Sequence, residues 1–143
     1  MSSSSMFTQI IRGDLPARFV WKDEQVVAFL TKAPISPGHT LVVPREEIDH
    51  WIDLEPELLE HLMRVSQQVA KAIQSAFNPV KVGLMIAGIE VRHVHVHLTP
   101  ANGLGDLSFD RQDPNPDPTA LDAAAEQIRT ALRKHGHSDV VPT

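Results

Sequence analysis

The sequence has 143 residues, of which 42% are hydrophobic and 22% charged, and its formal net charge is −5. This length and composition predict one globular domain with its own core. The negative charge and the lack of a basic block argue against polymeric nucleic acid as the main partner, and no apolar run approaches the about 20 residues that cross a bilayer. The sequence has no cysteine, which excludes disulfides and thiolate zinc ligands and is compatible with a cytoplasmic protein.

The N-terminal part of the chain predicts a short helix followed by three strands. Residues 1–5 are polar and are interpreted as a disordered tail. Residues 6–12 suit a short helix that ends at Gly13. Apolar runs predict three strands, the first two joined as a hairpin, at residues 18–21, 25–30 and 39–43.

A long amphipathic helix is predicted at residues 53–77, with Asp53 as its N-cap and Pro56 in its first turn. Its apolar residues recur every three or four positions: Leu54, Leu58, Leu62, Val65, Val69 and Ile73. Two further strands are predicted at residues 80–87 and 91–98, joined by a short turn.

The C-terminal part changes in character. Residues 99–118 are rich in proline and aspartate and are interpreted as a surface loop, residues 119–134 as a C-terminal helix, and residues 135–143 as a tail. Residues 6–134 are therefore predicted to form a single α+β domain. Its expected architecture is an antiparallel sheet of about five strands with one long helix and a C-terminal helix.

Residues 93–97 have the sequence His-Val-His-Val-His. Side chains alternate faces along a strand, so the three histidines are predicted to line one face while the valines enter a core on the other. Successive side chains on one face lie roughly 6.5–7 Å apart. This spacing places His95 centrally, with one imidazole on each side.

The histidine row is interpreted as a catalytic or phosphate-binding site, and two alternatives stay open. Imidazole transfers protons near neutral pH and can act as a covalent nucleophile. Alternatively, His93 and His95 could share one metal ion, although all three histidines are harder to bring onto one ion because the outer pair lies about 13 Å apart on a straight strand. The other alternative is a half-buried strand whose polar positions happen to be histidine.

His95 is the predicted nucleophile for attack at phosphorus. Such an attack needs an imidazole with one free nitrogen and the other held by a hydrogen bond. It also needs donors for the phosphoryl oxygens and an acid for the leaving group, and the flanking His93 and His97 are predicted to serve these needs.

Three segments together resemble the histidine triad (HIT) superfamily of nucleotide hydrolases and transferases. The triad motif corresponds to residues 93–99, with Thr99 in place of its last apolar residue. Residues 37–44 resemble the family segment that carries a fourth histidine, here His39, and residues 10–16 resemble its N-terminal stretch. The resemblance covers residues 6–106.

The resemblance implies a role for each histidine. His95 would attack the α-phosphorus and form a nucleotidyl-histidine intermediate, and His97 would contact the phosphate and the leaving group. His93 would support the site by hydrogen bonding, and His39 would lie beside the triad and help to hold it. The resemblance also implies an antiparallel sheet with helices, assembled as a homodimer.

The sequence departs from the family pattern around the nucleoside site. The position where an aspartate would hold the ribose hydroxyls is Thr31, next to Lys32. The Gly-Gln pair common before the triad is Gly88 and Ile89 here, which removes an amide donor, and Glu90 brings a negative charge near a phosphate. Thr31, Lys32, Ile89 and Glu90 are therefore the predicted substrate-binding positions.

Some family members bind zinc partly through two N-terminal cysteines, which correspond to Ser5 and Thr8 here, so no metal and no other cofactor are predicted. The implied function is a phosphoramidase or dinucleoside polyphosphate hydrolase that acts on a small nucleotide or nucleotide-like phosphate ester. One alternative is a nucleotide or phosphometabolite binding protein with little turnover, which Ile89 and Glu90 favour. The other is a metalloprotein that uses His93 and His95, with or without His39.

Overall fold

The computed structural model describes residues 4–142; residues 1–3, which belong to the predicted tail, and residue 143 lie outside the described residues. Ser5, also predicted to belong to the tail, is the N-cap of helix α1 (Met6–Arg12), and its side-chain oxygen accepts a hydrogen bond from the backbone N–H of Thr8. Helix α1 ends at Gly13 as predicted, because this glycine adopts the left-handed backbone conformation (φ 90°) that closes a helix.

Five antiparallel strands form one sheet in the order β1-β2-β3-β5-β4. Their bounds are β1 Phe19–Lys22, β2 Val26–Leu30, β3 Thr40–Pro44, β4 Lys81–Met85 and β5 Val96–Ala101. The predicted α+β class and the antiparallel sheet of five strands are confirmed, although the ends of each strand differ from the prediction.

Strands β2 and β3 are buried along their whole length because both faces of the sheet are covered. On one face, Ala28 and Val42 join the larger core, to which the two longer helices contribute. On the other face, Phe29 and Leu41 pack with Phe7 of α1. These three residues also line the cleft described below.

Helix α2 (Pro56–Phe77) buries the predicted apolar stripe from Leu58 to Ile73 in the larger core, and Leu54 of that stripe precedes the helix but is also buried there. The helix begins three residues later than predicted, and Asp53 is not its N-cap but ends a turn of 3-10 helix, Trp51–Asp53. The reason is Pro56, because proline disfavours helical backbone in the preceding residue. Glu55 is accordingly extended (ψ 138°), and the helix cannot continue through it.

The predicted C-terminal helix is present as α3 (Pro118–Lys134), and Asp117 caps it by accepting a hydrogen bond from the backbone of Thr119. The predicted tail after residue 134 packs onto the domain. The Val140 carbonyl accepts a hydrogen bond from the backbone N–H of Lys22, and Val141 is buried in the core. Within residues 4–142, no helix combines the length and the apolar character needed to span a membrane.

The predicted loop at residues 99–118 is shorter than expected, since β5 continues to Ala101. Pro100 fits in this strand because β3 pairs with β5 only at residues 96–98, which leaves that side of the strand open. The segment that follows contains two short 3-10 helices, Leu104–Leu107 and Phe109–Arg111.

The histidine strand is predicted at residues 91–98, but β5 begins at Val96, so His93 and His95 precede the strand. The backbone N–H of Val94 donates to the carbonyl of Ile48 in a loop. The valines nevertheless keep their predicted face, because Val94 and Val96 both lie in the larger core.

Gly38 precedes His39 in a conformation that side chains rarely allow (φ +98°), and a Cβ there would lie 2.6 Å from Cε2 of Phe77. We expect Gly38→Ala to lower the free energy of unfolding by about 1–3 kcal/mol, measured by urea denaturation, because backbone strain and this clash act together. Gly103→Ala is the matched control: its φ is extended (−167°) and nothing lies within 4 Å of the added methyl group. Equal losses in both variants would contradict this explanation.

Candidate active site

Four histidines meet on the face of the sheet that α1 covers. His39 immediately precedes β3 and His97 lies in β5, and the pairing of these strands sets Leu41 opposite His97. His93 and His95 lie in the segment that leads into β5. All four are buried, with at most 8% of each residue exposed. The fold therefore brings together the four predicted catalytic side chains.

The backbone fixes the tautomer of His95. Its Nδ1 lies 2.7 Å from the carbonyl oxygen of His93. A carbonyl oxygen only accepts, so Nδ1 carries the proton and Nε2 of the neutral ring keeps its lone pair. Nε2 has no hydrogen-bond partner among the described residues. Every side-chain nitrogen or oxygen that is fully buried in this part of the chain does have a partner, so Nε2 is reached by solvent, and it opens to the cleft that His95 lines.

The tautomers of His39 and His97 follow from a second backbone group. The N–H of Ile35 donates to Nδ1 of His39 at 3.0 Å, so the proton of this ring is on Nε2. The Nε2–H of His39 donates in turn to Nδ1 of His97, also at 3.0 Å. His97 therefore carries its own proton on Nε2, which is a donor available to a ligand in the cleft.

His93 is held at both of its ring nitrogens. Its Nε2–H donates to the carbonyl of Pro44 at 2.8 Å, and the Ser5 hydroxyl lies 2.7 Å from Nδ1, to which it donates. Thr8 Oγ1 lies 3.5 Å from the same nitrogen. His93 is fully buried and does not line the cleft, so its ring supports the site without contacting a ligand.

Burial lowers the pKa of all four histidines. Desolvation disfavours the charged ring, and repulsion between neighbouring imidazoles adds to it, so the pKa of His97 falls to about 3 and that of His39 to about 4. Desolvation also lowers the pKa of His95 and of His93, although hydrogen bonds to backbone carbonyls oppose the shift in both. The rings are therefore neutral at pH 7, as the tautomer assignments require.

Two phenylalanines hold the rings of the triad in place. The rings of His95 and His97 meet edge to face with centroids 4.8 Å apart. Phe7 packs against His95 at 4.7 Å, and Phe109 packs against His97 at 4.9 Å. This row of four rings fixes the direction of both Nε2 atoms.

A cleft of about 750 Å³ adjoins His95 and His97, which is room for a ligand the size of a nucleotide. All four predicted substrate-binding residues line it: Thr31, Lys32, Ile89 and Glu90. Much of the remaining lining is apolar and includes Met6, Phe7, Ile10, Phe29, Leu30, Leu41 and Val91. A ligand in this cleft would therefore lie between an apolar wall and the two open Nε2 atoms.

The sequence and the fold of this chain are similar to those of known proteins. Residues 12–103 match the family described as the HIT domain. The chain belongs to the histidine triad family. It is 34% identical to Protein hit from Bacillus subtilis (strain 168) over 110 residues, which cover 73% of this chain and 76% of that protein.

Two solved structures of HIT proteins share the fold. A zinc-bound histidine triad family protein from Mycobacterium smegmatis has a TM-score of 0.80 at 27% identity and covers 94% of this chain and 97% of its own. A hypothetical histidine triad nucleotide-binding protein from Sulfolobus tokodaii strain7 has a TM-score of 0.76 at 28% identity, with 90% and 91% covered. Since HIT proteins are generally nucleotidyl hydrolases or transferases, family membership supports a small nucleotide as the ligand.

The zinc-bound relative raises the question whether this HIT chain fits the same metal. Ser5 and Thr8 offer neutral hydroxyls, whereas zinc prefers thiolate, imidazole and carboxylate ligands, and the Ser5 hydroxyl already occupies Nδ1 of His93. The donor set therefore does not fit zinc. Within residues 4–142, no group of three or more histidine, cysteine, aspartate or glutamate side chains is placed to hold a metal ion.

Several contacts of the HIT site were missed at the sequence level. Phe109 lies in the proline- and aspartate-rich segment, where no periodicity singles it out. Phe7 belongs to the predicted helix α1, but nothing in the helical pattern says which element it faces. The spacing of Ser5 and Thr8 is typical of a helix N-cap and agrees with the start of α1, yet it does not indicate a contact with His93.

Proposed function

We propose that this HIT protein is a nucleotidyl hydrolase or transferase that cleaves a phosphorus–nitrogen or phosphoanhydride bond through a covalent nucleotidyl intermediate on His95. The substrate class is nucleotide phosphoramidates or dinucleoside polyphosphates. The observation that carries the proposal is the state of His95, whose Nδ1–H is held by a carbonyl while Nε2 opens to the cleft. A neutral imidazole held in this way is a competent nucleophile at pH 7.

The reaction requires two displacements at the α-phosphorus. In the first, the lone pair of His95 Nε2 forms a bond to phosphorus, and the leaving group departs with its bonding pair and takes a proton from water in the cleft. In the second, water attacks phosphorus, Nε2 departs with its bonding pair, and the proton of the attacking water neutralises the hydroxide left by the first step. The Nε2–H of His97 points to the same cleft and donates a hydrogen bond to a phosphoryl oxygen or to the bridging atom.

The nucleoside contacts are proposed to come from Thr31, Lys32, Ile89 and Glu90. Ile89 is 83% exposed beside the triad and offers no hydrogen bond, and Glu90 carries a negative charge in the same cleft. These two residues favour the second candidate function, a nucleotide or phosphometabolite binding protein with little turnover. The two functions differ in whether the bond at phosphorus is broken.

The stereochemical course at phosphorus tests the proposed function. Each in-line displacement inverts the configuration, so a covalent intermediate on His95 gives net retention. We expect retention when an adenosine phosphoramidothioate, chiral at phosphorus, is hydrolysed in ¹⁸O-water with chelator present. Net inversion would contradict the covalent intermediate, and saturable binding without hydrolysis would support the binding protein instead.

We also propose a homodimer, as the family resemblance implies, and a cytoplasmic location, with which the cysteine-free sequence is compatible. Strand β4 is the last strand of the sheet, and among residues 4–142 it pairs only with β5. Leu84 on this strand is 46% exposed and Val80 before it is 67% exposed. An apolar edge of this kind supports association with a second copy of the chain.

A further inference from the structure

A chain of hydrogen bonds connects the N-terminal segment to the back of the histidine triad. It begins at the carboxylate of Glu47, where Oε1 accepts from the Thr8 hydroxyl at 2.6 Å and from the Ser5 backbone N–H at 2.7 Å. It ends at Nδ1 of His93, 2.7 Å from the Ser5 hydroxyl. Ser5 and His93 are 88 positions apart in the sequence, so this contact ties the N-terminus to the site.

The donors and acceptors in this chain have one consistent arrangement. Thr8 directs its hydroxyl proton to the Glu47 carboxylate, because a carboxylate only accepts. The Ser5 oxygen accepts from the backbone N–H of Thr8 at 2.9 Å and lies 3.2 Å from the Thr8 hydroxyl oxygen. Because Nδ1 of the neutral His93 ring has no proton, the Ser5 hydroxyl donates to this nitrogen, at the shorter distance of 2.7 Å. The Pro44 carbonyl accepts a hydrogen bond from the Nε2–H of His93, so both nitrogens of this ring have a hydrogen-bond partner.

The same chain reaches the proposed nucleophile in one more step. The main-chain carbonyl of His93 accepts the Nδ1–H of His95 at 2.7 Å. Phe7, which lies between Ser5 and Thr8 in the sequence, packs edge to face against the rings of His93 and His95. Any loosening of His93 therefore moves the acceptor that holds the His95 tautomer.

We propose that Ser5 and Thr8, fixed by Glu47, are positioning residues that hold His93 so that its carbonyl keeps the proton of His95 on Nδ1 and the lone pair on Nε2. The inference rests on the proposed function, because it assigns these residues to the readiness of His95 as a nucleophile. It also gives the two hydroxyls a role at the positions where some HIT proteins carry cysteines. We call Ser5, Thr8 and Glu47 together the clamp, because their hydrogen bonds hold the ring of His93.

Two measurements on the same variants test the clamp. Imidazole NMR of ¹⁵N-labelled protein reports the tautomer of His95 and the exchange of its Nδ1 proton with water, and steady-state kinetics reports kcat and KM. In Ser5→Ala we expect about tenfold faster exchange, a mixed His95 tautomer, and about tenfold lower kcat with KM within about twofold. Ser5→Thr keeps the hydroxyl and the helix cap and is expected to restore both readouts.

Further variants separate positioning from stability. Thr8→Val has nearly the same shape as threonine without the hydroxyl. We expect it to change the NMR and kinetic readouts in the same direction as Ser5→Ala but by a smaller amount, and we expect a still smaller change in Glu47→Gln. Glu46→Gln removes a charge at the neighbouring exposed position and is expected to change neither. Melting temperatures identify any loss that comes from the helix cap alone.

The outcomes distinguish this inference from the proposed function. The clamp is overturned if Ser5→Ala and Thr8→Val leave the His95 tautomer and proton exchange unchanged, even where kcat falls. It is also overturned if Ser5→Thr fails to restore the tautomer. The NMR measurement does not depend on turnover. If the protein hydrolyses no substrate, the proposed function is contradicted, and the spectra still show whether Ser5 and Thr8 hold the His95 tautomer.

Discussion

Replacing His95 by alanine is expected to lower kcat/KM for an adenosine phosphoramidate by at least about 10³-fold, because the variant lacks the atom that forms the covalent bond. The measurement is hydrolysis of a fluorogenic adenosine phosphoramidate with chelator present. His50→Ala is the control, since this exposed histidine lies outside the described site. Nucleotide binding by His95→Ala is expected to survive, because the cleft keeps its apolar wall and the Nε2–H of His97.

A graded comparison sharpens this prediction. His97 donates one hydrogen bond in the proposed reaction, and removing one such donor costs about 10²-fold in kcat. We therefore expect His97→Ala to retain more activity than His95→Ala. Equal activity of His95→Ala and the unchanged protein would exclude His95 as the nucleophile, and activity abolished by chelator would favour the metalloprotein alternative.

The composition of the site was accessible from the sequence because local patterns encode it. Alternation of histidine and valine at residues 93–97 predicts opposite faces, and Val94 and Val96 do enter the core. The prediction that the histidines themselves lie on one regular strand was wrong, because β5 begins at Val96. His95 and His97 nevertheless lie in the same cleft with their rings in contact, although His95 precedes the strand.

The chemical state of the site was not accessible from the sequence. Which nitrogen of each ring carries the proton depends on three backbone groups, the Ile35 N–H and the carbonyls of Pro44 and His93. Backbone groups are the same in every residue, so no pattern of side chains marks them. The contact of Ser5 with His93 joins segments 88 residues apart and depends on how α1 docks on the sheet.

Acid is expected to destabilise the protein well above the pH at which its carboxylates titrate. The pKa of His97 is about 3 and that of His39 about 4 in the folded protein, against an ordinary value of 6.5 in an unfolded chain. Between these values the unfolded state binds more protons than the folded state, so stability is lost as the pH falls through 6.5. The lowered pKa of His93 and of His95 acts in the same direction.

We expect the free energy of unfolding to fall by about 2–4 kcal/mol between pH 7 and pH 5, measured by urea denaturation at constant ionic strength. The carboxyl groups with lowered pKa, Asp23, Glu47 and Glu126, contribute mainly at lower pH, because their ordinary values are 3.8 for aspartate and 4.5 for glutamate. His97→Gln removes one of the four buried titrating groups and is expected to reduce the slope by roughly a quarter to a half. A flat stability curve over this range would show that the buried histidines take up protons in the folded protein as readily as in the unfolded chain. An unchanged slope in His97→Gln would show the same for His97 alone.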